Sequence, residues 1–247
     1  MFGTMLGYKF ILFTFVISCA SAIDLPDFLQ VCSRNDHNLN DCIRRSADYL
    51  KPYLVTGVPE YNIPSLQPLL LDDLVGEGHG VKCTCKNIKV FGAADYSVKY
   101  INADLAALEF RVDILLPHLY VEGTYEVDGK VLLLPVTGSG GWKGNFTNCD
   151  ASVTFTASTD PDASGVKQFH IEQFDLKVTV GNGYLHFENL FNGDKTIGDL
   201  VNQAINANFN VFLREIMPLV EQTLAKTFRD IGNGIVNPFS YDQLFPM

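Results

Sequence analysis

Between Asp194 and Ile231 the apolar residues recur at helical spacing: Ile197, Leu200, Val201, Ala204, Ile205, Phe209, Phe212, Leu213, Ile216, Leu219, Val220, Leu224, Phe228 and Ile231. One broad stripe over 38 residues predicts a single helix ~57 Å long at ~1.5 Å per residue. Pro218 is expected to bend it, and Gly232 and Gly234 to stop it. A one-sided rod of that length has to bury its stripe against a partner of similar length. That requirement governs what the rest of the chain can fold into.

The middle of the chain supplies such a partner, because its period is two. Val81, Cys83 and Cys85 alternate with Lys82, Thr84 and Lys86. Leu108, Phe110, Val112, Ile114 and Leu116 share one face, with Glu109, Arg111 and Asp113 opposite. At Pro117 the parity slips by one, and Leu119, Val121, Tyr125 and Val127 take over the apolar face. A slip at a proline predicts a bulge or bend within a long strand. Cys149, Ala151, Val153 and Phe155 form a further strand face. Phe169 and Ile171 form another, and a second slip near Gln173 passes the face to Phe174, Leu176, Val178 and Val180. Asp128-Gly129 and Asn182-Gly183 predict two tight hairpins. Their registers would place Tyr125 opposite Leu132, Gly123 opposite Leu134, Val178 opposite Phe187 and Val180 opposite Leu185.

Upstream, Ile43, Ala47 and Leu50 give one face of a helix from about Leu39 to Leu50, with Pro52 near its end. The stretch with Pro59, Pro64 and Pro68 carries Val58, Ile63, Leu66 and Leu69, and reads as an extended strap laid on a core. Long strands with bends must curl to cover so long a helix. The expected fold is α+β, a strongly curved antiparallel sheet wrapped around a long C-terminal helix. Such a wrap encloses an apolar tunnel wherever side chains do not fill it.

The first 22 residues stand apart. Lys9 precedes the apolar run from Phe10 to Ile17, and Ser18-Cys-Ala-Ser-Ala22 supplies a small-residue A-x-A ending. This is the pattern of a secretory signal peptide cleaved after Ala22, and the run is far short of the ~20 residues that span a bilayer. Residues 23–247 are then expected to form one domain. Cleavage removes one Lys and no acid, leaving 17 basic against 28 acidic residues, a formal charge of −11. That balance argues against nucleic acid and anionic membrane surfaces as partners. Asn145-Phe-Thr147 is an N-glycosylation sequon, expected on an exposed loop.

Five cysteines remain in the secreted chain: Cys32, Cys42, Cys83, Cys85 and Cys149. Extracellular redox conditions favour disulfides, and five is odd. Cys32 and Cys42, close in sequence, are the pair expected to bond. Cys83-x-Cys85 with Cys149 raises a metal site, but no His shares that face, and structural zinc normally takes four ligands. Pairing of Cys149 with one of the two is the simpler alternative. His170-Ile-Glu172 and His186-Phe-Glu188 put His and carboxylate together, but on polar, outward faces. Thr137-Gly-Ser-Gly-Gly-Trp-Lys-Gly144 lacks phosphate-loop spacing and the G-x-S-x-G context of a nucleophile, and reads as a flexible loop. No metal, cofactor or catalytic set is expected.

Several segments resemble the takeout and juvenile hormone-binding protein family of insects. They are Cys32-Ser-Arg-Asn-Asp-His-Asn-Leu-Asn-Asp-Cys42, Lys51-Pro-Tyr-Leu-Val-Thr-Gly-Val-Pro59, Ile63-Pro-Ser-Leu-Gln-Pro68, Gly123-Thr-Tyr-Glu-Val-Asp-Gly129, Leu185-His-Phe-Glu-Asn-Leu-Phe-Asn-Gly-Asp194 and Tyr241-Asp-Gln-Leu-Phe-Pro246. They run in order through the chain, and the takeout branch is the closer match. The resemblance implies a secreted carrier related to the tubular lipid-binding superfamily, with a tunnel for a hydrophobic ligand. It also implies a disulfide between Cys32 and Cys42, while Cys83, Cys85 and Cys149 lie outside its pattern. A circadian, feeding or hormone-related role is implied in the same way.

The inward parity nominates Phe110, Val112, Ile114, Tyr125, Leu132, Val153, Phe155, Phe212, Ile216 and Val220 as tunnel walls, with the Tyr125 hydroxyl as a polar contact. The expected function is an extracellular, monomeric, non-enzymatic carrier of a terpenoid, fatty acid or similar molecule, in haemolymph or another fluid. The alternative is a secreted interaction protein whose channel is filled by its own side chains and whose acidic surface binds a receptor or another protein. A lipid-modifying hydrolase lacks an identifiable nucleophile and base.

Overall fold

Alternation of apolar and polar residues becomes strand wherever it runs long enough. The computed structural model describes residues 24–78, 81–131, 134–163 and 165–247. The proposed signal peptide and Leu132 lie outside the described residues. Seven antiparallel strands make one curled, unclosed sheet: β1 (Leu69–Leu71), β2 (Leu74–Gly78), β3 (Val81–Phe91), β4 (Ser97–Asp104), β5 (Glu109–Val131), β6 (Leu134–Ser158) and β7 (His170–Phe187). The path is β1-β3-β5-β6-β7, with β2 also on β3 and β4 on β5. The helices are α1 (Leu39–Thr56), α2 (Lys195–Ala207), α3 (Phe209–Val236) and the short α4 (Tyr241–Leu244).

The parity slip at Pro117 belongs to a line crossing three strands. Leu116 pairs with Cys149 and Cys149 with Val180; one step on, His118 pairs with Thr147 and Thr147 with Asn182. Pro117, Asn148 and Gly181 fall between these rows, each adding one residue outside the alternation. The register is kept while the inner and outer faces exchange. Asn148 takes a left-handed φ of 52° to do this. β4 pairs with β5 on one side of the line and β3 on the other. The chain turns between them at Gly92, whose φ is 88° and where a Cβ would lie 2.4 Å from the His118 carbonyl oxygen. The slip expected near Gln173 is also present, as a register shift between Thr156 and Ala157 on β6.

Both expected hairpins are absent. β5 and β6 pair from Glu109↔Thr156 to Val131↔Leu134, so Asp128-Gly129 lies within the ladder and Tyr125 faces Gly140. β7 runs straight through Asn182-Gly183, and Val178 pairs with Ala151. Glycines of β6 and β7, Gly183 among them, serve close approach instead of turning. A Cβ at Gly183 would sit 2.3 Å from Phe209 Cζ at the start of α3, and one at Gly140 would sit 2.5 Å from the Glu188 carbonyl oxygen. The Gly-rich run 137–144 is therefore strand, not flexible loop, and the sequon residue Asn145 is an exposed position within β6. Gly183→Ala is expected to destabilise the fold by ~1–3 kcal/mol through overpacking, because Phe209 is itself buried. A chemical-denaturation midpoint equal to that of the unsubstituted protein would contradict this contact.

The C-terminal helix is also interrupted where the stripe gives no warning. The Asn208 side chain donates to the Ala204 carbonyl at 2.9 Å, ending α2, while its own carbonyl accepts from Val211 and Phe212 and begins α3. A short amide that competes for backbone groups makes such a break. α3 then continues through Pro218 and past Gly232 and Gly234 to Val236, a length of ~42 Å. Gly232 does not stop the helix; a Cβ there would lie 2.7 Å from Ile171 Cδ1, so the glycine lets α3 approach β7 closely. α1 likewise passes Pro52 and ends at Thr56, held by Phe28 stacking on Tyr53 at 4.7 Å and by the Leu66 N–H donating to the Leu54 carbonyl at 2.7 Å.

β7 is an edge strand of this sheet, and helix side chains satisfy its outer hydrogen-bonding groups. Asn202 Oδ1 accepts from the Phe187 N–H and its Nδ2 donates to the Phe187 carbonyl, both at 2.9 Å. Asn206 does the same to Leu185 at 2.8 and 2.7 Å, and Asn233 to Ile171 at 2.7 and 2.9 Å. Midway, Glu221 accepts from the Val178 N–H at 2.9 Å and from Lys177 Nζ at 2.7 Å. The match is geometric: four helical residues rise ~6 Å and two strand residues ~6.8 Å. The helices thus lie antiparallel along β7 in place of a further strand.

Candidate functional site

The inner face divides into packed and unpacked regions. At one end Tyr125, Val127, Val136 and Leu185 of the sheet close tightly on Val201, Ile205, Phe209, Phe212 and Leu213 of the helices. A second cluster gathers Leu69, Ile88, Val90 and Val121, with Phe228 of α3 against it. At the opposite end Phe110, Phe169, Ile171 and Tyr241 form a third cluster.

Beside that third cluster lies a cavity of about 260 Å³. Phe110 and Val112 of β5 and Phe155 of β6 make its floor, with Phe110 and Phe155 stacked at 4.6 Å. Phe169, Ile171 and Val236 form a side, and Leu244 and Phe245 the end. Leu29, Val31, Cys32 and Ile43 cover it from the N-terminal segment. Gln30, Ser46 and Asn102 are its polar members, and Ser46 Oγ already donates to the Gln30 carbonyl at 2.6 Å. Among the described residues the walls carry no charged side chain.

Two covalently and electrostatically fixed segments make the cover. Cys32 and Cys42 are disulfide-bonded, tying the N-terminal segment to α1. Arg34 then joins that segment to the C-terminus: Nε donates to the Phe245 carbonyl at 2.7 Å, and the guanidinium pairs with Asp242 and lies 4.8 Å over the Tyr241 ring. The Arg34 N–H also donates to the Pro246 carbonyl at 2.8 Å. The first and last described segments therefore clasp each other beside the cavity.

Of the nominated wall residues, Phe110, Val112 and Phe155 line this cavity. Ile114 and Val153 continue the same faces inward and are half-buried, as is Val220 on α3. Tyr125 and Phe212 lie in the packed cluster at the other end, with Ile216 against it. The Tyr125 hydroxyl is already used, donating to the Glu188 carbonyl at 2.7 Å, and burial pushes the phenol up to about 12. The N-terminal and C-terminal contributors were not anticipated. Their sequence signal is faint, since Leu29, Val31, Leu244 and Phe245 sit in short segments without periodicity.

Cys83, Cys85 and Cys149 are free thiols. Cys83 and Cys85 sit on the inner face of β3 with their sulfurs 4.0 Å apart. Cys149 is 1% exposed between Leu116 and Val180, and burial, with Asp150 nearby, pushes its thiol up to about 11. It pairs with neither of the others. Among the described residues no helix is long and apolar enough to cross a membrane.

Comparison with known proteins agrees with this geometry. Circadian clock-controlled protein daywake of Drosophila melanogaster is 25% identical over 232 residues, covering 89% of this chain and 88% of that one. A putative beta-carotene-binding protein of Schistocerca gregaria is 20% identical over 220 residues, covering 88% of each. The crystal structure of Epiphyas postvittana Takeout 1 superposes with a TM-score of 0.78 at 24% identity, over 88% of this chain and 100% of that one. The family model described as haemolymph juvenile hormone binding protein matches residues 10–246. A curled antiparallel sheet closed along one edge by a C-terminal helix, with matches through nearly its whole length, makes this chain a member of the haemolymph juvenile hormone binding protein family, whose members carry lipophilic ligands.

Proposed function

We propose that the protein is a secreted, non-enzymatic carrier of a lipophilic small molecule held at the clasped end of the curled sheet, beneath the N-terminal segment and beside the last turn of α3. The observation that carries this is the 260 Å³ cavity whose walls are apolar apart from Gln30, Ser46 and Asn102. Its size suits one slender chain or ring, as of a terpenoid or fatty acid, and falls just under the ~300–1,000 Å³ of common ligand pockets. Half-buried Ile114, Val153 and Val220 extend the apolar lining inward, so a longer ligand would run as in a tunnel towards the packed cluster. Burying ~400 Å² of such a ligand at ~25 cal/mol/Å² yields ~10 kcal/mol before association costs, enough for micromolar or tighter binding without a charged anchor.

Secretion is supported by the signal-like first 22 residues, the Cys32–Cys42 bond and the exposed sequon residue Asn145. The Schistocerca relative, described as beta-carotene-binding, supports an isoprenoid-type ligand, and the daywake likeness supports expression under clock control. The test is titration of the delipidated, secreted protein with the apolar dye N-phenyl-1-naphthylamine, followed by displacement with farnesol and palmitate. Saturable binding of one dye per chain, displaced by at least one lipid, is the expected result. Absence of saturable binding would leave the filled-core interaction protein as the better account.

A further inference from the structure

Away from the cavity, the outer face of the sheet presents an aromatic ring that the fold leaves without a partner. Tyr184 of β7 is 54% exposed and makes no hydrogen bond, ring stack or cation contact among the described residues. It does not turn inward. The next residue, Leu185, is 3% exposed on the inner face, and Asn206 holds both its N–H and its carbonyl. Directly opposite Tyr184 on β6 stands Asn145, and opposite Asn145 on β5 stands Tyr120. Two tyrosines therefore flank the Asn145 side chain, at cross-strand Cβ distances of ~4.5–5.5 Å. Tyr120 is already engaged: its ring lies 5.8 Å from Phe91, and its hydroxyl donates to Glu122 Oε2 at 3.1 Å. The Tyr184 ring is the one left open.

Asn145 begins the only Asn-x-Ser/Thr sequence in the chain, Asn145-Phe-Thr147. Its middle residue sets the direction. Phe146 packs inward, 6.3 Å from Phe209, so strand alternation puts Asn145 and Thr147 on the outer face. Asn145 is exposed, and its side-chain amide makes no hydrogen bond among the described residues. A pyranose joined to that amide comes within reach of the Tyr184 ring. The C–H groups of a sugar face carry partial positive charge, which the negative face of an aromatic ring attracts, and the contact takes apolar area of both out of water.

We propose that Asn145 carries an N-linked glycan whose first sugar packs on the face of Tyr184, the two residues forming one site on the outer face of β6 and β7. In the attachment, Asn145 Nδ2 bonds to the anomeric carbon of a lipid-pyrophosphate-linked oligosaccharide, and the bond from that carbon to the pyrophosphate oxygen breaks. The lipid pyrophosphate leaves with the electron pair, and the amide loses one proton. The inference rests on secretion, which brings the chain to that donor, and not on a lipid in the cavity.

The test expresses the full chain in insect cells treated with kifunensine and maps the secreted protein by mass spectrometry. One glycan on Asn145 is expected, and none in Asn145→Gln or Thr147→Ala. Trimmed with endoglycosidase H to a single N-acetylglucosamine, the protein should melt about 2–4 °C above Asn145→Gln. Tyr184→Phe should keep that difference and Tyr184→Ser should abolish it, each compared with the same variant also carrying Asn145→Gln. A secreted chain with no sugar on Asn145 would overturn the proposal and leave secretion standing, whereas a chain retained in the cell and unmodified would remove both. A trimmed protein that melts with Asn145→Gln, or a difference that survives in Tyr184→Ser, would overturn the packing on Tyr184.

Discussion

Replacing Asn202 with Leu is expected to lower stability by about 3 kcal/mol. Asn202 is 7% exposed, and its amide pairs with both the N–H and the carbonyl of Phe187. A Leu of similar size fills the space but leaves two backbone groups of an edge strand without partners. Each unsatisfied group costs ~1–3 kcal/mol. For a chain of this size ~1 kcal/mol moves the melting midpoint by ~2–4 °C, so a fall of roughly 6–12 °C is expected by calorimetry. Asn202→Asp keeps the acceptor and loses the donor, and should fall between. Gln203→Leu, one residue along on the exposed face, should change little. If Asn202→Leu melted with the unsubstituted protein, the helices would not be acting as the missing strand along β7.

The same residues show what could be read from the sequence and what could not. Apolar alternation located the strands, the slips at Pro117 and Gln173, and the stripe that α2 and α3 bury, because those patterns record which face meets the core. The dipeptides Asp128-Gly129 and Asn182-Gly183 misled, because glycine permits both a turn and a close approach. Only the distance to Phe209 tells them apart at Gly183. Asn202, Asn206 and Asn233 appeared as polar interruptions of a helical pattern. Their partners are backbone groups of β7, and backbone groups leave no mark in a sequence. The break at Asn208 has the same origin, a side-chain amide taken up by a main-chain carbonyl. The cavity was harder still: inward parity names the residues that face the helix, but whether that space is filled depends on which opposing residue reaches across.

That distinction sets apart two substitutions that the sequence alone would treat as equivalent. Val112→Trp places an indole on the floor of the cavity, among Phe110, Phe155 and Ile171. The added volume enters empty space, so the fold should be kept within about 1 kcal/mol while dye and lipid uptake fall at least about tenfold, the loss of ~1.4 kcal/mol or more of binding. Phe212→Trp instead enlarges a side chain that is 7% exposed and already packed against Phe187 at a centroid distance of 6.5 Å. Its neighbours Tyr125, Phe209, Leu213 and Leu185 belong to the same buried cluster, so strain of ~1–3 kcal/mol is expected. Its signature is the reverse: a lowered denaturation midpoint with dye affinity nearly unchanged at temperatures where the protein stays folded. Loss of binding in Phe212→Trp with stability intact would mean that the ligand occupies the end near Tyr125. Binding retained in Val112→Trp would point the same way, and together they would move the site from the Arg34 clasp to the α2 end of the sheet.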